Sequence, residues 1–202
     1  YKQHILDVFD YSNEGNDADE YFLNQYKKSP LTASAYLQDK IEYESIILNL
    51  GLRADYVDVK AKAYSDIENP DAGNIDTKPE FKLSPRLGLA YPISENTVFH
   101  FSYGHFFQFP NFNNIYYNLQ FLNPNELKKA QLAIVANPNV KSQKTISYEF
   151  GLSHKISEHT ALKVTAYSKD ITNLLGTIYV STNYRYAIFT NNDFARIQGL
   201  DI

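Results

Sequence analysis

Apolar and polar residues alternate along both arms of the stretch 81–109. The largely apolar face carries Phe81, Leu83, Pro85, Leu87, Leu89 and Tyr91 on the first arm, and Phe99, Phe101, Tyr103, His105, Phe107 and Phe109 on the second. Lysine, serine, arginine and glycine hold most positions in between. A period of two predicts strands with one apolar and one polar face. Each arm reaches the ~9–11 residues of a tilted membrane-crossing strand, so the sequence predicts a long hairpin that turns at 94–96.

The same alternation recurs along the chain. It predicts strands at 33–43, 47–57, 145–156, 161–171 and 184–202, and a less regular one at 1–9. Short turns at 44–45, 94–96 and 157–159 alternate with long loops at 10–31, 58–79, 110–144 and 172–183, and a helix is expected at 124–134. Outer-membrane barrels have short periplasmic turns and long extracellular loops. The predicted fold class is therefore all-β, an antiparallel up-and-down transmembrane β-barrel segment of about eight strands.

Composition narrows the function classes. The 202-residue chain has no cysteine, which excludes disulfides and thiolate metal sites. Its net charge of −4 gives no electrostatic reason to bind nucleic acid. The mean hydropathy of −0.41 is typical of soluble proteins, although only alternate residues of a barrel strand face lipid. A secreted, soluble, carbohydrate-binding β protein therefore stays open as an alternative.

Four stretches in order carry a family resemblance. They are AYLQDKIEY with LNLGLRADY, SPRLGLAYPIS with TVFHFSYGHFFQFPNF, TISYEFGLSHKIS with TALKVTAYSKDITNLLG, and the final DFARIQGLDI. In this respect the chain resembles the barrel of TonB-dependent outer-membrane receptors, from about residue 33 to residue 202. The resemblance implies that residues 1–202 form part of one barrel domain in the cell outer membrane of a Gram-negative bacterium.

The resemblance also implies a function. Receptors of this kind are not enzymes, and they import scarce nutrients such as a siderophore, cobalamin, an oligosaccharide or a peptide. The implied partners are outer-membrane lipid, a nutrient ligand, and the TonB complex acting through a plug domain. Neither a plug domain nor an energy-coupling box is visible in this sequence, and the resemblance implies no cofactor.

The strand number allows two readings. Eight strands can close into a small barrel filled by side chains, which would serve as an adhesin or a structural anchor. Alternatively, the strands belong to a larger barrel such as the ~22-stranded plugged transporters. The polar positions are often glycine, serine or alanine, which are too small to fill a narrow barrel, and residue 202 follows a strand without a turn. Both features favour a segment of the larger barrel.

Candidate site residues fall into two groups. The parity of the strands predicts a lumen-facing set, Arg53, Asp55, Lys82, Arg86, Ser102, Glu149 and Lys155. The loop rich in asparagine and aromatic residues predicts an extracellular ligand-binding set, Phe112, Asn113, Asn114, Tyr116, Tyr117 and Asn118, because aromatic faces and amides suit sugars, peptides or chelates. Packing over the barrel mouth is the alternative role for these loop residues.

No catalytic or metal site is predicted. His100 and His105 differ in parity, so they point to opposite faces of one strand and cannot chelate a metal together. Ser102 shares a face with His100, but nothing in the sequence supplies the third group that would orient such a pair.

Overall fold

A computed structural model describes residues 2–3, 6–13, 21–129 and 133–202. The strands are β1 (Lys2–Gln3), β2 (Leu6–Asn13), β3 (Tyr21–Lys28), β4 (Leu31–Tyr43), β5 (Ile46–Asp58), β6 (Lys62–Tyr64), β7 (Asn74–Asp76), β8 (Glu80–Ser94), β9 (Thr97–Gln108), β10 (Ala133–Val135), β11 (Gln143–Ser157), β12 (Thr160–Ser181) and β13 (Arg185–Asp201). The helices are α1 (Phe112–Tyr116), α2 (Pro124–Lys129) and two short 3₁₀ turns, Pro70–Ala72 and Leu119–Leu122. Within these residues, no helix is long and apolar enough to cross a membrane.

Among the described residues, the main sheet contains nine strands in the order β1-β4-β5-β8-β9-β11-β12-β13-β10. Neighbours that follow one another along the chain pair antiparallel, as predicted, whereas β10 pairs parallel with β13. In the described part of the chain β1 and β13 do not pair, so the sheet is open. The predicted number of eight strands is therefore too small, and no closed eight-stranded ring is present among the described residues.

The segment 10–31 was expected to be a loop, and this expectation is wrong over most of its described part. β2 and β3 form a hairpin from Leu6↔Lys28 to Asn13↔Tyr21. The pairing of β1 with β4, Lys2↔Thr32, continues the same register. Aromatic residues favour a strand in spite of the surrounding polar ones, and cross-strand pairing decides the outcome. Residues 14–20 lie outside the described part of the chain.

Three further expectations, about two loops and one helix, need correction. β12 runs without interruption through most of the predicted loop 172–183, because Asn173 adopts a positive φ of 59° at a bulge and the pairing with β13 then resumes.

The predicted helix 124–134 begins as expected, with Asn123 accepting a hydrogen bond from the backbone N–H of Asn125. However, α2 is described only to Lys129, and Ala133–Val135 is a strand. The expected loop 58–79 contains the short hairpin β6–β7.

The three predicted short turns are confirmed, and each is a two-residue turn. The closing pairs are Tyr43↔Ile46, Ser94↔Thr97 and Ser157↔Thr160. Bulges lie just before the second and third turns, between Pro92 and Ser94 and between Lys155 and Ser157. Because the strands alternate in direction, all three turns lie at one end of the sheet, which we call the turn end. The opposite end is the loop end.

The register also reveals the tilt of the strands. One row of partners crosses the sheet from Ile47 through Ala90, His100 and Gly151 to Thr165. Ile47 is two residues from Ser45 of its turn, His100 is four from Asn96, and Thr165 is six from His159. The row therefore moves two residues further from the turns with each hairpin, that is, over a width of two strands. With ~3.3 Å per residue and ~4.8 Å between strands, and with the turns at one level, this offset corresponds to a strand tilt of about 35°. This tilt lies in the ~35–45° range of outer-membrane barrels.

The two faces of the sheet differ in chemistry and burial. Large apolar side chains of the predicted parity stay accessible, with Tyr148, Phe150 and Leu152 exposed by 41–54%. Across neighbouring strands they stand opposite one another, as in the pair Leu89↔Phe101. On the other face, small polar residues are buried, Ser84 at 2% and Ser147 at 7%. A sheet in a soluble protein would bury its apolar face against a core. Here the apolar face is the outward, exposed one.

The buried core lies at the loop end. Segments 59–79, 109–129 and 133–142, which together we call the loop cap, pack with one another and with the ends of β12 and β13. One cluster includes Tyr64, Val135, Tyr186 and Ile188, and the second includes Tyr26, Ile115 and Tyr116. Leu119 is packed against both clusters. The loop cap is therefore a packed unit rather than a set of independent loops.

Candidate functional site

The polar face of the sheet brings most of the predicted lumen set together. Asp55 is the register partner of Lys82, and Arg53 is the partner of the buried Ser84. Ser102 is the partner of Glu149. Arg86 follows Lys82 on the same face of β8, and Lys155 has the same parity near the turn end. The face is therefore continuous from β5 to β11, and it lies opposite the exposed leucine and phenylalanine side chains.

Charged side chains at the loop end of this face are paired. The Arg53 guanidinium donates to both carboxylate oxygens of Asp55, with Nε to Oδ2 at 2.8 Å and an N–O ion-pair distance of 2.7 Å. Lys82 forms an ion pair with Glu80 at 2.8 Å. Glu80 also accepts hydrogen bonds from the backbone N–H and the hydroxyl of Ser142, which ends the loop cap. This carboxylate therefore fastens the loop cap to β8.

Closer to the middle of the face, aromatic rings cover glycines. The Phe106 ring lies over Gly104, and the Arg86 guanidinium stacks on that ring at 4.7 Å from its centroid. Ser102, Ser147, Glu149 and the amides Gln38 and Asn49 line a pocket of about 240 Å³ beside them, together with apolar groups such as Leu50 and Leu87. Arg86 thus stands as a cation in a pocket of mixed polar and apolar lining.

The predicted ligand set in the loop divides in two. Tyr116 is fully buried and its hydroxyl donates to the carbonyl oxygen of Val59 at 2.5 Å. Asn118 is also buried, adopts a positive φ of 54°, and donates to the carbonyl oxygen of Ile134 at 3.1 Å. These two residues hold the loop cap together. Phe112, Asn113, Asn114 and Tyr117 keep some solvent exposure.

Sequence reasoning missed a larger cleft in the loop cap. Its volume is about 1070 Å³, and it lies between the β6–β7 hairpin and the segment 119–126. Lys28, Lys60 and Lys62 line the cleft, together with Asp58, Asp76 and Glu126. Lys62 is the first residue of the three-residue strand β6, and Lys60 lies two residues before it. A strand of this length is too short to produce a periodic signal. Nothing in a single sequence brings Lys28 or Gln120 near them.

Hydrogen bonds between loops hold the cleft walls. The Tyr64 hydroxyl donates to the carbonyl oxygen of Phe121, and Asn74 donates to that of Leu122 at 3.1 Å. Burial, reinforced by the nearby Tyr186, Tyr184 and Asp71, raises the pKa of Tyr64. Burial together with Asp58 and Tyr26 raises the pKa of Tyr116. Both hydroxyls are therefore neutral donors at neutral pH, and they join residues 59–64 to the segment 112–122.

Long tilted hairpins, an outward apolar face and a packed loop cap define a segment of an outer-membrane-type β-barrel. The family description "TonB dependent receptor-like, beta-barrel" matches residues 2–202. The chain therefore belongs to this family, which confirms the resemblance seen in the sequence. No curated protein matches the chain.

Solved structures show the same fold. The hemophore receptor HasR of Serratia marcescens, solved with its hemophore HasA and heme, has 17% identity and a TM-score of 0.64 over 86% of this chain and 31% of that chain. The ferric enterobactin receptor PfeA of Pseudomonas aeruginosa has 17% identity and a TM-score of 0.63 over 87% and 24%. The FrpB iron transporter from Neisseria meningitidis has 16% identity and a TM-score of 0.58 over 87% and 22%. The chain thus spans less than a third of the length of each.

Proposed function

We propose that residues 1–202 are part of the barrel of an outer-membrane TonB-dependent receptor that imports a scarce nutrient. The observation that carries the proposal is the opposition of the two faces, with exposed apolar residues such as Phe150 on one and the charged set around Arg86 on the other. Lipid would cover the first face, and a water-filled lumen would solvate the second.

In this proposal the polar face receives a plug domain. The lumen set Arg53, Asp55, Lys82, Arg86, Ser102, Glu149 and Lys155 would offer exchangeable ion pairs and hydrogen bonds to the plug. Exposed ion pairs such as Arg53–Asp55 contribute little net stability, so their partners can be exchanged at low cost when the plug moves. The TonB complex would supply the energy for that movement through the plug.

The loop cap would capture the nutrient on the extracellular side. Phe112, Asn113, Asn114 and Tyr117 are the members of the predicted set that a ligand can reach, whereas Tyr116 and Asn118 would shape the loop from within. The candidate substrates are a siderophore, cobalamin, an oligosaccharide and a peptide. The similar structures are a hemophore receptor, a ferric enterobactin receptor and an iron transporter, which favours an iron-containing ligand.

The test is an uptake experiment with the complete gene. A deletion strain and its complemented derivative receive ferric chelates of different charge, cobalamin, a malto-oligosaccharide and an oligopeptide, with and without a protonophore. We expect the deletion to abolish energised uptake of one nutrient and the complemented strain to recover it. Equal uptake of every nutrient in both strains would contradict the proposed function.

A further inference from the structure

One acidic side chain interrupts the outward apolar face of the sheet. Asp39 has the parity of Leu37 and Ile41 on β4, so it points to the same side as the exposed leucine and phenylalanine side chains. Its register partner is Leu50, another outward residue. Asp39 is five residues from the turn residue Glu44, which places it within the lipid-crossing part of the strand. Its carboxylate would therefore face lipid.

The Asp39 carboxylate forms no ion pair within the described part of the chain. Its neighbour Lys40 has the parity of the polar face and pairs there with Glu42. Ionisable side chains at membrane depth are costly, and they are usually paired and functional. We therefore expect Asp39 to take its cation from outside the described strands.

Asp39 lies at one end of a groove of about 620 Å³ on the outward face. This volume is within the ~300–1,000 Å³ of small-molecule pockets. Apart from the carboxylate at one end and a phenol at the other, the side chains that point into the groove are aliphatic. They come from two rows of register partners, Leu37–Leu52–Pro85 and Asp39–Leu50–Leu87–Tyr103.

The guanidinium of Arg86 does not neutralise this groove. Arg86 borders the groove, but it has the parity of the polar face, and its guanidinium stacks on the Phe106 ring at 4.7 Å from the centroid. That ring covers Gly104 on the polar face. The charge of Arg86 therefore lies across the sheet from the Asp39 carboxylate.

The groove has a direction relative to the turn end. Leu50 is five residues from Ser45 of its turn, whereas Tyr103, in the same row, is seven from Asn96. The Asp39 end is therefore nearer the turn end, and the groove rises away from it. Lipids of the leaflet at the turn end have the same orientation, with the headgroup outermost. A single charge at this end and aliphatic carbon beyond it match a cationic amphiphile better than the broad surface that a protein partner needs.

We propose that this groove binds a membrane lipid with a primary ammonium headgroup, of the ethanolamine type, with the ammonium on the Asp39 carboxylate and an acyl chain along the groove. A primary ammonium group donates up to three hydrogen bonds and forms a charge-assisted pair with a carboxylate. A trimethylammonium headgroup carries the same charge but has no N–H donor. The site lies on the outer surface of the barrel, so the proposal goes beyond the import function and does not depend on the nutrient.

The test compares phosphatidylethanolamine with phosphatidylcholine of the same acyl chains. The full-length receptor, stripped of lipid in detergent, is titrated with each lipid, and native mass spectrometry measures the bound fraction. Asp39→Asn removes the charge at nearly constant size. Asp170→Asn is the matched control, because Asp170 has the outward parity of its register partner Ile146 but is paired with Arg196. A thermal melt of each variant checks the fold.

We expect the wild-type receptor and Asp170→Asn to bind phosphatidylethanolamine about fivefold more tightly than phosphatidylcholine, and Asp39→Asn to lose this preference. Equal binding of the two lipids by the wild type would overturn the proposal and favour a cationic membrane protein as the occupant. A preference that survives in Asp39→Asn, or that is lost equally in Asp170→Asn, would also overturn it. So would a failure of Asp39→Asn alone to fold, because the carboxylate would then have its cation within the receptor. None of these results affects the import function, which the uptake panel tests separately.

Discussion

His100 lies across Gly151, its register partner on the neighbouring strand. A Cβ atom at position 151 would stand 2.8 Å from both Cε1 and Nε2 of the ring, and it would also overlap the carbonyl oxygen of Val164. The ring reaches Thr165 on the next strand, where Nε2 and the hydroxyl are 3.2 Å apart. The absence of a side chain at Gly151 therefore lets one imidazole bridge three strands of the polar face.

Replacing this glycine should be costly. Gly151→Ala forces either the backbone of β12 or the His100 ring to move, and overpacking of this kind costs about 1–3 kcal/mol in the free energy of unfolding. Gly88→Ala is the matched control, because its Cβ would meet only Asn49 at 3.5 Å, an ordinary contact. Denaturant titration of both variants in lipid vesicles measures the difference. A loss for Gly88→Ala as large as for Gly151→Ala would show that the sheet resists any added methyl group.

A charge on the apolar face should impair assembly far more than the same charge on the polar face. Leu89→Arg places a guanidinium toward lipid, at a cost of ~2–4 kcal/mol at the bilayer midplane that falls toward ~0–1 at the interfaces. Leu89 is six residues from the turn residue Glu95, so it lies inside the apolar band but not at its centre. We therefore expect a cost in the lower half of the ~2–4 kcal/mol range. Ser102→Arg stands opposite Glu149 and gains an ionic partner. The measurement is folding of the full-length variants into vesicles. A larger loss of folding for Ser102→Arg than for Leu89→Arg would show that the lipid-facing and lumen-facing sides are assigned the wrong way round.

Glu80 should control the attachment of the loop cap. Glu80→Gln removes the ion pair with Lys82 and weakens the hydrogen bonds from Ser142. Hydrogen bonds to a charged group are worth about 1.5–3 kcal/mol. We expect faster hydrogen exchange in segments 109–129 and 133–142 with little change in the strands. The control Glu42→Gln breaks an exposed pair with Lys40 and should leave exchange unaltered. Unchanged exchange in Glu80→Gln would mean that packing alone holds the segment.

High pH should loosen the loop cap before it disrupts the sheet. Burial raises the pKa of Tyr64 above its ordinary value of 10.0. The neutral hydroxyl therefore stabilises the fold below about pH 10, and this contribution is lost as pH rises toward the folded-state pKa. Tyr64→Phe should lose about 1 kcal/mol at neutral pH and show a flatter decline at alkaline pH. The exposed Tyr36→Phe is the control. Denaturant titrations across pH provide the measurement, and parallel alkaline declines in all three proteins would exclude Tyr64 as the source.

The sequence predicts the hairpins that cross the apolar band better than the parts beyond it. Strands such as β8 and β9 alternate, with Phe106 as an exception, because each residue faces either the apolar or the polar side. Outside that band, β3 and the end of β12 have both faces in polar surroundings or in the loop cap. Their sequences therefore do not alternate between apolar and polar residues, and pairing with neighbouring strands decides the structure. Tyr116 illustrates the limit at the candidate site, because an aromatic residue among asparagines looks the same in sequence whether it binds a ligand or packs against Val59.

Cysteine scanning of the β8–β9 hairpin tests the central claim most directly, because the chain itself contains no cysteine. Single cysteines at positions 87–90 and 99–104 of the full-length receptor in vesicles, with any cysteine elsewhere replaced, carry a nitroxide label. Accessibility to oxygen, which partitions into lipid, is compared with accessibility to a water-soluble nickel complex. The account predicts a period of two, with oxygen favoured at Leu87, Leu89, Phe99, Phe101 and Tyr103 and nickel at Gly88 and Ser102. Protection of the first group from both reagents would indicate a closed apolar core and would contradict the membrane barrel.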